Sequence, residues 1–361
     1  MLQLMMRKSV GSTSDLDASS AIADEVEHEL LTTSPPAVDV AQAQAVAVRY
    51  YGDAIACKPL SGERDRNFCI ERKTGECFTL KFINAAETEG EVDMQVEVLK
   101  HLAPHCPIPV PFHISPIDAG TQSWVNWMSP EGVAVRVRAY SFLTGSSGAE
   151  LATTDQAYRA VGVAAGELDK ALADFHHPAA DREFLWDTAR VPALLAWLDV
   201  IDEPSRREQV GGFLRQFEQR KARHASALPV QIIHNDLSPS NFLSSPNGDA
   251  IAGILDFGDM VYTPRVAEVA IAASYQMATS KDPLHTLSSM LDGYSSVLTL
   301  SAVEREHAFD LVLARLAQRL IITAKRAQQF PTNRHYILRS RDAATQLFDR
   351  IIAAWQAGVR L

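Results

Sequence analysis

Cysteine is scarce in this chain: there are four, Cys57, Cys69, Cys77 and Cys106, and no C-x-x-C spacing among them. That excludes a disulfide framework and a thiolate metal cluster, and free thiols in a reducing cytoplasm are expected. Long apolar runs are missing too. No stretch approaches the ~18 uninterrupted apolar residues of a membrane helix. No apolar run follows Arg7 and Lys8, so a secretory leader is not expected. Positive charge is in deficit, with 34 Lys and Arg against 44 Asp and Glu and a net charge of −10. This argues against a nucleic-acid partner. The motif G-x-x-x-x-G-K-[ST] is absent, which removes a P-loop, and the eleven histidines have no H-E-x-x-H or Cys/His cluster. What is present is ordinary for a globular chain of 361 residues: 47% apolar and 22% charged. At roughly 150 residues per domain, that length suggests two domains or two lobes.

Residues 1–34 read as a tail rich in Ser, Thr, Asp and Glu, with one short helical pattern over 21–31 before Pro35-Pro36. Residues 35–140 read as a small sheet with one long helix. A helical pattern covers 38–49, strands are expected over 68–70, 77–83 and 133–139, and a helix over 91–102. The prolines at 107, 109 and 111 keep the next segment out of helix. Residues 141–145 link this lobe to a mainly helical one, 146–361. Helical spacing covers 155–175, 182–186, 191–201, 204–227, 266–279 and 304–329. Two apolar strands, 231–233 and 251–255, interrupt it, with Asn247-Gly248 as a hairpin turn between them. The expected fold class is therefore α+β and bilobal, an antiparallel-sheet lobe followed by a larger helical lobe.

The strongest chemical signal is His234-Asn235-Asp236-Leu237-Ser238-Pro239-Ser240-Asn241, followed by Asp256-Phe257-Gly258. It fits H-x-D-x-x-x-x-N and D-F-G, the signature set of kinase-type phosphoryl transfer. A hydroxyl nucleophile needs a carboxylate to orient it and accept its proton, the role for Asp236. Mg²⁺ bridging phosphates wants hard oxygen ligands, which Asn241 and Asp256 offer. Either half alone is common, but the pair in order, each behind an apolar strand, is specific. The bland alternative has Asp236 and Asn241 capping turns and Asp256 pairing with a surface cation. ATP then belongs against the first lobe. Lys81, inside an apolar strand, becomes the phosphate-binding lysine rather than an ordinary outward one. The glycine-poor turn 60–68, which includes Asn67, covers the phosphates. Glu91, Gln95 and Glu97 are candidates on the following helix to partner Lys81.

On these residues the chain resembles the aminoglycoside phosphotransferase (choline kinase-like) superfamily, and more narrowly its hydroxylysine kinase branch. Further carriers are Leu30 to Pro36, the turn Gly62-Glu63-Arg64-Asp65-Arg66-Asn67-Phe68, the stretch Val137 to Gly145, Leu168 to Leu172, Phe175 to Arg182, and Trp186-Asp187. The resemblance implies a protein-kinase-like bilobal fold with ATP in the cleft and Mg²⁺ as cofactor. It makes Asp236 the catalytic base, Asn241 and Asp256 the metal ligands, and Lys81 the lysine on the α- and β-phosphates. It makes the Ser141 carbonyl and the Leu143 amide the adenine contacts. Gln95 falls where many relatives carry the helix glutamate, so the lysine–glutamate pair departs from the pattern.

The acceptor is expected to be a small hydroxyl compound rather than a protein. About ten residues separate D-F-G from the next helix, there is no A-P-E, and asparagine rather than arginine precedes Asp236. Asp259, Asp187 and Glu183 are candidates for an acceptor amine, and Arg315 with Arg319 for a carboxylate; each can equally be a structural ion pair. A hydroxylysine-like amino acid suits both sets, with homoserine, choline, ethanolamine or an aminoglycoside as alternatives. The expected partners are ATP and that acceptor, with no nucleic acid and no membrane, in a monomer or homodimer. A catalytically weak binding protein on the same scaffold is the second reading, supported by Gln95 and the glycine-poor turn.

Overall fold

The computed structural model describes residues 33–62, 64–117, 120 and 122–359. The helical pattern at 21–31 lies outside them. Helix α1, Val40–Tyr51, starts where Asp39 can cap it. The Asp39 carboxylate accepts the Gln42 N–H at 2.8 Å, and the Gln42 side chain accepts the Asp39 N–H at 2.9 Å. Its buried face, Ala43, Val46, Ala47 and Tyr51, packs on a sheet of β1 (Ala56–Leu60), β2 (Arg66–Glu71), β3 (Cys77–Phe82), β4 (His113–Ile114), β5 (Val125–Met128) and β6 (Ala134–Ser141). The path is β1-β2-β3-β6-β4 with β5 also on β6, every pair antiparallel. Helix α2, Glu89–His105, opens on a second capping box between Thr88 and Glu91.

The second lobe holds α3 (Asp155–Ala171), a run of 3-10 turns (Thr188–Val200), α4 (Pro204–His224), α5 (Val266–Thr279), α6 (Pro283–Ser295), α7 (Ala302–Gln329), α8 (Arg334–Ile337) and α9 (Arg341–Gln356). Three short strand pairs, formed by β7 (Ser146–Ser147), β8 (Val230–Ile233), β9 (Phe242–Ser244), β10 (Ile251–Ile254) and β11 (Val261–Pro264), sit beside the sheet lobe. The two lobes have separate apolar cores. Met94, Val98, Leu99 and Leu102 of α2 belong to the core of the helical lobe, so this helix ties the lobes together.

Three local expectations need correction. Residues 182–186 are irregular rather than helical, and the Arg182 guanidinium ties this stretch to the Gly258 and Met260 carbonyls, at 2.9 Å each. Residues 191–201 are 3-10 turns: Pro192 lacks an N–H, and Trp197 leaves helical geometry at φ −115°. The strand at 231–233 does not pair with 251–254. It pairs with β11, and the hairpin across Asn247-Gly248 is β9–β10. Helices α6 and α9 were not anticipated. The framework of an antiparallel sheet lobe and a larger helical lobe is as expected.

Candidate active site

A cavity of about 770 Å³ lies between the lobes. Leu60, Asn67, Ser141 and Leu143 line one side, and Asp236, Asn241 and Asp256 the other. Strand β8 ends at Ile233, and the chain turns sharply. Asn235 takes φ +66° and Asp256 φ +55°, the only positive values among the described non-glycine residues. Such backbone costs on the order of 1 kcal/mol and needs fixed surroundings. Glu268 of α5 supplies them: its buried carboxylate accepts the Asn235 N–H at 3.0 Å. The Asn235 amide donates to the carbonyls of Trp186 at 3.3 Å and Asp259 at 3.1 Å. His234 braces the same loop. Its Nδ1 accepts the Asp236 N–H at 3.3 Å and its Nε2 meets the Leu255 carbonyl at 2.8 Å, a pattern met by the neutral Nε2–H tautomer.

The Asp236 carboxylate is held by three donors. Arg315 Nη2 lies 2.7 Å and the Tyr275 hydroxyl 3.1 Å from Oδ1, and Asn241 Nδ2 lies 2.6 Å from Oδ2. Burial lifts the Asp236 carboxyl above the usual range, and Arg315 opposes it without cancelling it. Asn241 Nδ2 also donates to the Asp236 carbonyl at 3.0 Å. With both amide hydrogens committed to acceptors, its Oδ1 is the free polar atom. Asn241 and Asp256 flank the β9–β10 hairpin, and the Leu255 N–H bonds the Asn241 carbonyl at 2.7 Å, which sets them side by side. Asp256 keeps 49% of its side chain exposed. Lys81 holds its carboxyl well below the usual range, so it is an ionised oxygen donor at neutral pH. No group of three or more His, Cys, Asp or Glu converges as a metal site among the described residues. One carboxylate and one carboxamide oxygen nonetheless suit Mg²⁺, which usually takes one or two protein ligands and completes its shell with phosphate and water.

Lys81 sits behind this point, 2% exposed, with Nζ 2.7 Å from Asp65 and 3.4 Å from Asp256. Burial alone would lower its pKa, but Asp256 and Asp65 raise it, so it stays charged. None of the three helix candidates reaches it. The Gln95 amide is buried between Glu87, at 3.0 Å, and Arg138; Glu91 pairs with Arg182; Glu97 pairs with Lys100 at 2.8 Å. Gln95 thus braces helix α2 to Glu87 and to Arg138 of β6 rather than meeting Lys81, whose carboxylate partner is Asp65, after the turn at Gly62. That turn is tight. A Cβ on Gly62 would lie 2.6 Å from the Asp65 carbonyl and 2.8 Å from Asn67 Nδ2.

The acceptor candidates fare unevenly. Asp187 does not line the cavity: it is 4% exposed, accepts the Ala189 N–H at 2.9 Å to cap the 3-10 run, and accepts the Thr263 hydroxyl at 2.8 Å. Asp259 lines the cavity but its carboxylate is engaged by Arg64. Arg315 also lines it, bound to Asp236 and to the Trp186 carbonyl at 3.2 Å. Sequence reasoning missed Asp65 and Tyr275. Asp65 stands inside the turn 62–68 and Tyr275 outside any motif; neither carries a sequence signal for its partner, and only the fold brings them to Lys81 and Asp236.

Residues 56–300 match the family model described as "Phosphotransferase enzyme family". The chain is 31% identical over 343 residues to "Hydroxylysine kinase" of Mus musculus, covering 88% of this chain and 91% of that one. It is 32% identical over 326 residues to "Hydroxylysine kinase" of Bos taurus, covering 84% and 86%. Among solved structures, a "microcompartment-associated aminopropanol kinase" superposes with a TM-score of 0.70 at 17% identity, over 88% of this chain and 98% of its own. An "Amicoumacin kinase" follows with a TM-score of 0.60 at 14% identity, over 94% and 96%. These two show the fold. The family match and the relatives near 30% identity show more: the chain belongs to the phosphotransferase enzyme family and is an ATP-dependent small-molecule kinase.

Proposed function

We propose that the enzyme moves the γ-phosphoryl group of ATP to a hydroxyl of an amine- or amino-acid-type acceptor, a hydroxylysine-like compound being favoured. The observation that carries this reading is the convergence of Asp236, Asn241 and Asp256 on one cavity. Asp236 orients the acceptor hydroxyl and takes its proton as the oxygen attacks the phosphorus and the bond to ADP breaks. Burial raises the carboxyl, and the Arg315 guanidinium at 2.7 Å opposes that rise and favours the anion. Asn241 and Asp256 would hold Mg²⁺, which supplies neutralisation of phosphate charge when bound. Lys81, steadied by Asp65, would meet the α- and β-phosphates. Asn67 and its turn cover them, and the Ser141 carbonyl and Leu143 amide read adenine. In this reading residues 35–140 hold the nucleotide, 141–145 are the hinge, and 146–361 carry the catalytic loop and the acceptor, in a cytoplasmic enzyme.

Hydroxylysine leads the acceptor list because two relatives of that name match over most of their length. The binding-protein reading leaned on Gln95; a carboxylate beside Lys81 in the form of Asp65 speaks against it. The test is ADP release over a panel of hydroxylysine, homoserine, choline, ethanolamine and an aminoglycoside, with Asp236→Asn as control. One acceptor should stimulate turnover, and Asp236→Asn should lower it by ~10³-fold or more while ATP still binds. If no panel member lifts ADP release above the control, the proposal fails.

A further inference from the structure

The far wall of the cavity is built by α7 and the segment after it, and it is cationic. Five arginines line the cavity, Arg64, Arg315, Arg319, Arg326 and Arg339, against four aspartates, Asp65, Asp236, Asp256 and Asp259. Each aspartate has a basic partner: Lys81 for Asp65 and Asp256, Arg315 for Asp236, Arg64 for Asp259. Among the described residues, no aspartate of the cavity is left without a basic partner to hold an acceptor amine.

Arg319 is the reverse case. It sits one helical turn beyond Arg315 on the same face of α7 and is 4% exposed. Its guanidinium lies over the Tyr275 ring at 4.4 Å, and Nη2 donates to the Ser340 carbonyl at 2.9 Å. Nε and Nη1 are buried and have no hydrogen-bond partner. Burial pushes its pKa down, and Arg315 adds to that, yet an arginine stays charged. A buried guanidinium with two unmet donors and no carboxylate is costly by itself, and an anion in the cavity offsets that cost. Tyr275 links this wall to the base, since its hydroxyl donates to Asp236.

We infer that Arg319 is the anchor of a carboxylate subsite, so that the natural acceptor carries a carboxylate as well as the hydroxyl presented to Asp236. This rests on the kinase reading above and narrows it. Purely cationic acceptors, such as an aminoglycoside or choline, meet the wrong charge on this wall. The anion's source is the acceptor rather than the nucleotide, because the phosphate side of the cavity is served by Lys81 and the metal ligands.

The experiment compares matched acceptors that differ only in the carboxylate: 5-hydroxylysine with 1,5-diaminopentan-2-ol, and homoserine with 3-aminopropan-1-ol. Charge-assisted hydrogen bonds predict kcat/KM ~10- to 100-fold higher for the carboxylate member of the pair that is used. Arg319→Met should raise KM for that member by a similar factor, with a smaller change in kcat, and close the gap between the pair. Arg319→Lys should restore part of it. A binding arm needs no turnover: L-lysine should raise the melting temperature of the wild-type protein with a non-hydrolysable ATP analogue, and cadaverine should not. Lysine binding without turnover of any acceptor would sink the kinase reading and leave the subsite standing. Equal kcat/KM within the pairs, no response to lysine, or a rise in the KM for ATP on Arg319→Met would each overturn the subsite. An equal loss for both members would mark Arg319 as a structural brace and overturn it as well.

Discussion

Asp236 is a carboxylate under opposing pressures. Burial favours its neutral acid, and the Arg315 guanidinium at 2.7 Å favours the anion a base must be. The sign for activity follows. With Asp236 as the proposed base the anion is the working form, so kcat/KM should fall as pH drops through a pKa lying above the ordinary ~3.9 of aspartate. Arg315→Met removes the opposing charge and should move this acid limb to higher pH by about one unit or more. A pH–rate profile checks it, and an unmoved limb would mean that Arg315 does not set the charge of Asp236. Lys81 gives a second contrast. Asp65→Asn should lower kcat/KM for ATP by ~10-fold, because the lysine loses its nearer carboxylate. Gln95→Ala should instead cost ~2 kcal/mol of stability by stranding Glu87 and Arg138, with little change toward ATP. The opposite outcome would restore Gln95 to the nucleotide site.

Helices of the second lobe approach closely where glycine allows it. A Cβ on Gly162 of α3 would lie 2.0 Å from the Met290 carbonyl, and one on Gly293 of α6 would lie 2.2 Å from the Arg159 carbonyl. Backbone cannot step aside as a side chain can, so Gly162→Ala should destabilise by ~1–3 kcal/mol or more. Gly212 in α4 faces open space, with nothing within 4 Å of its Cβ position. Gly212→Ala should therefore stabilise by ~0.5–1 kcal/mol through helix propensity. Urea denaturation of the two variants side by side reads both signs. The loop 234–241 depends on its neighbours in a similar way, since the left-handed Asn235 is held by Glu268 from α5.

The two cores share no residues, but α2 packs into the core of the helical lobe, and polar pairs also join the lobes across the cavity. Lys81 reaches Asp256, Arg64 reaches Asp259, and Arg182 links Glu91 of α2 to the Gly258 and Met260 carbonyls. A nucleotide with Mg²⁺ would bridge the same gap. Binding to the folded state alone, at a concentration of ~100 Kd, should add about 2.7 kcal/mol. The melting temperature should rise with Mg²⁺ and a non-hydrolysable ATP analogue, and excess EDTA should remove most of that rise. A rise that EDTA leaves intact would take Asn241 and Asp256 out of the metal role.

Local chemistry made several features readable in the chain itself. Helix α5 is delimited at Val266–Thr279 by apolar spacing alone, and Asp236, Asn241 and Asp256, which the fold brings to one cavity, stand out by their order behind apolar strands. Those signals work because helical period and motif spacing are properties of neighbouring residues. Tertiary structure decided what depends on residues far apart. It gave Lys81 the carboxylate of Asp65 instead of a helix side chain, and it paired β8 with β11 rather than with β10. It turned Asp187 into a cap, and it placed Arg315 on Asp236 from 79 residues away. The reason is the same each time: a buried charge or strand edge takes whichever partner packing brings within about 3 Å, and that distance through space leaves no trace in the order of the chain.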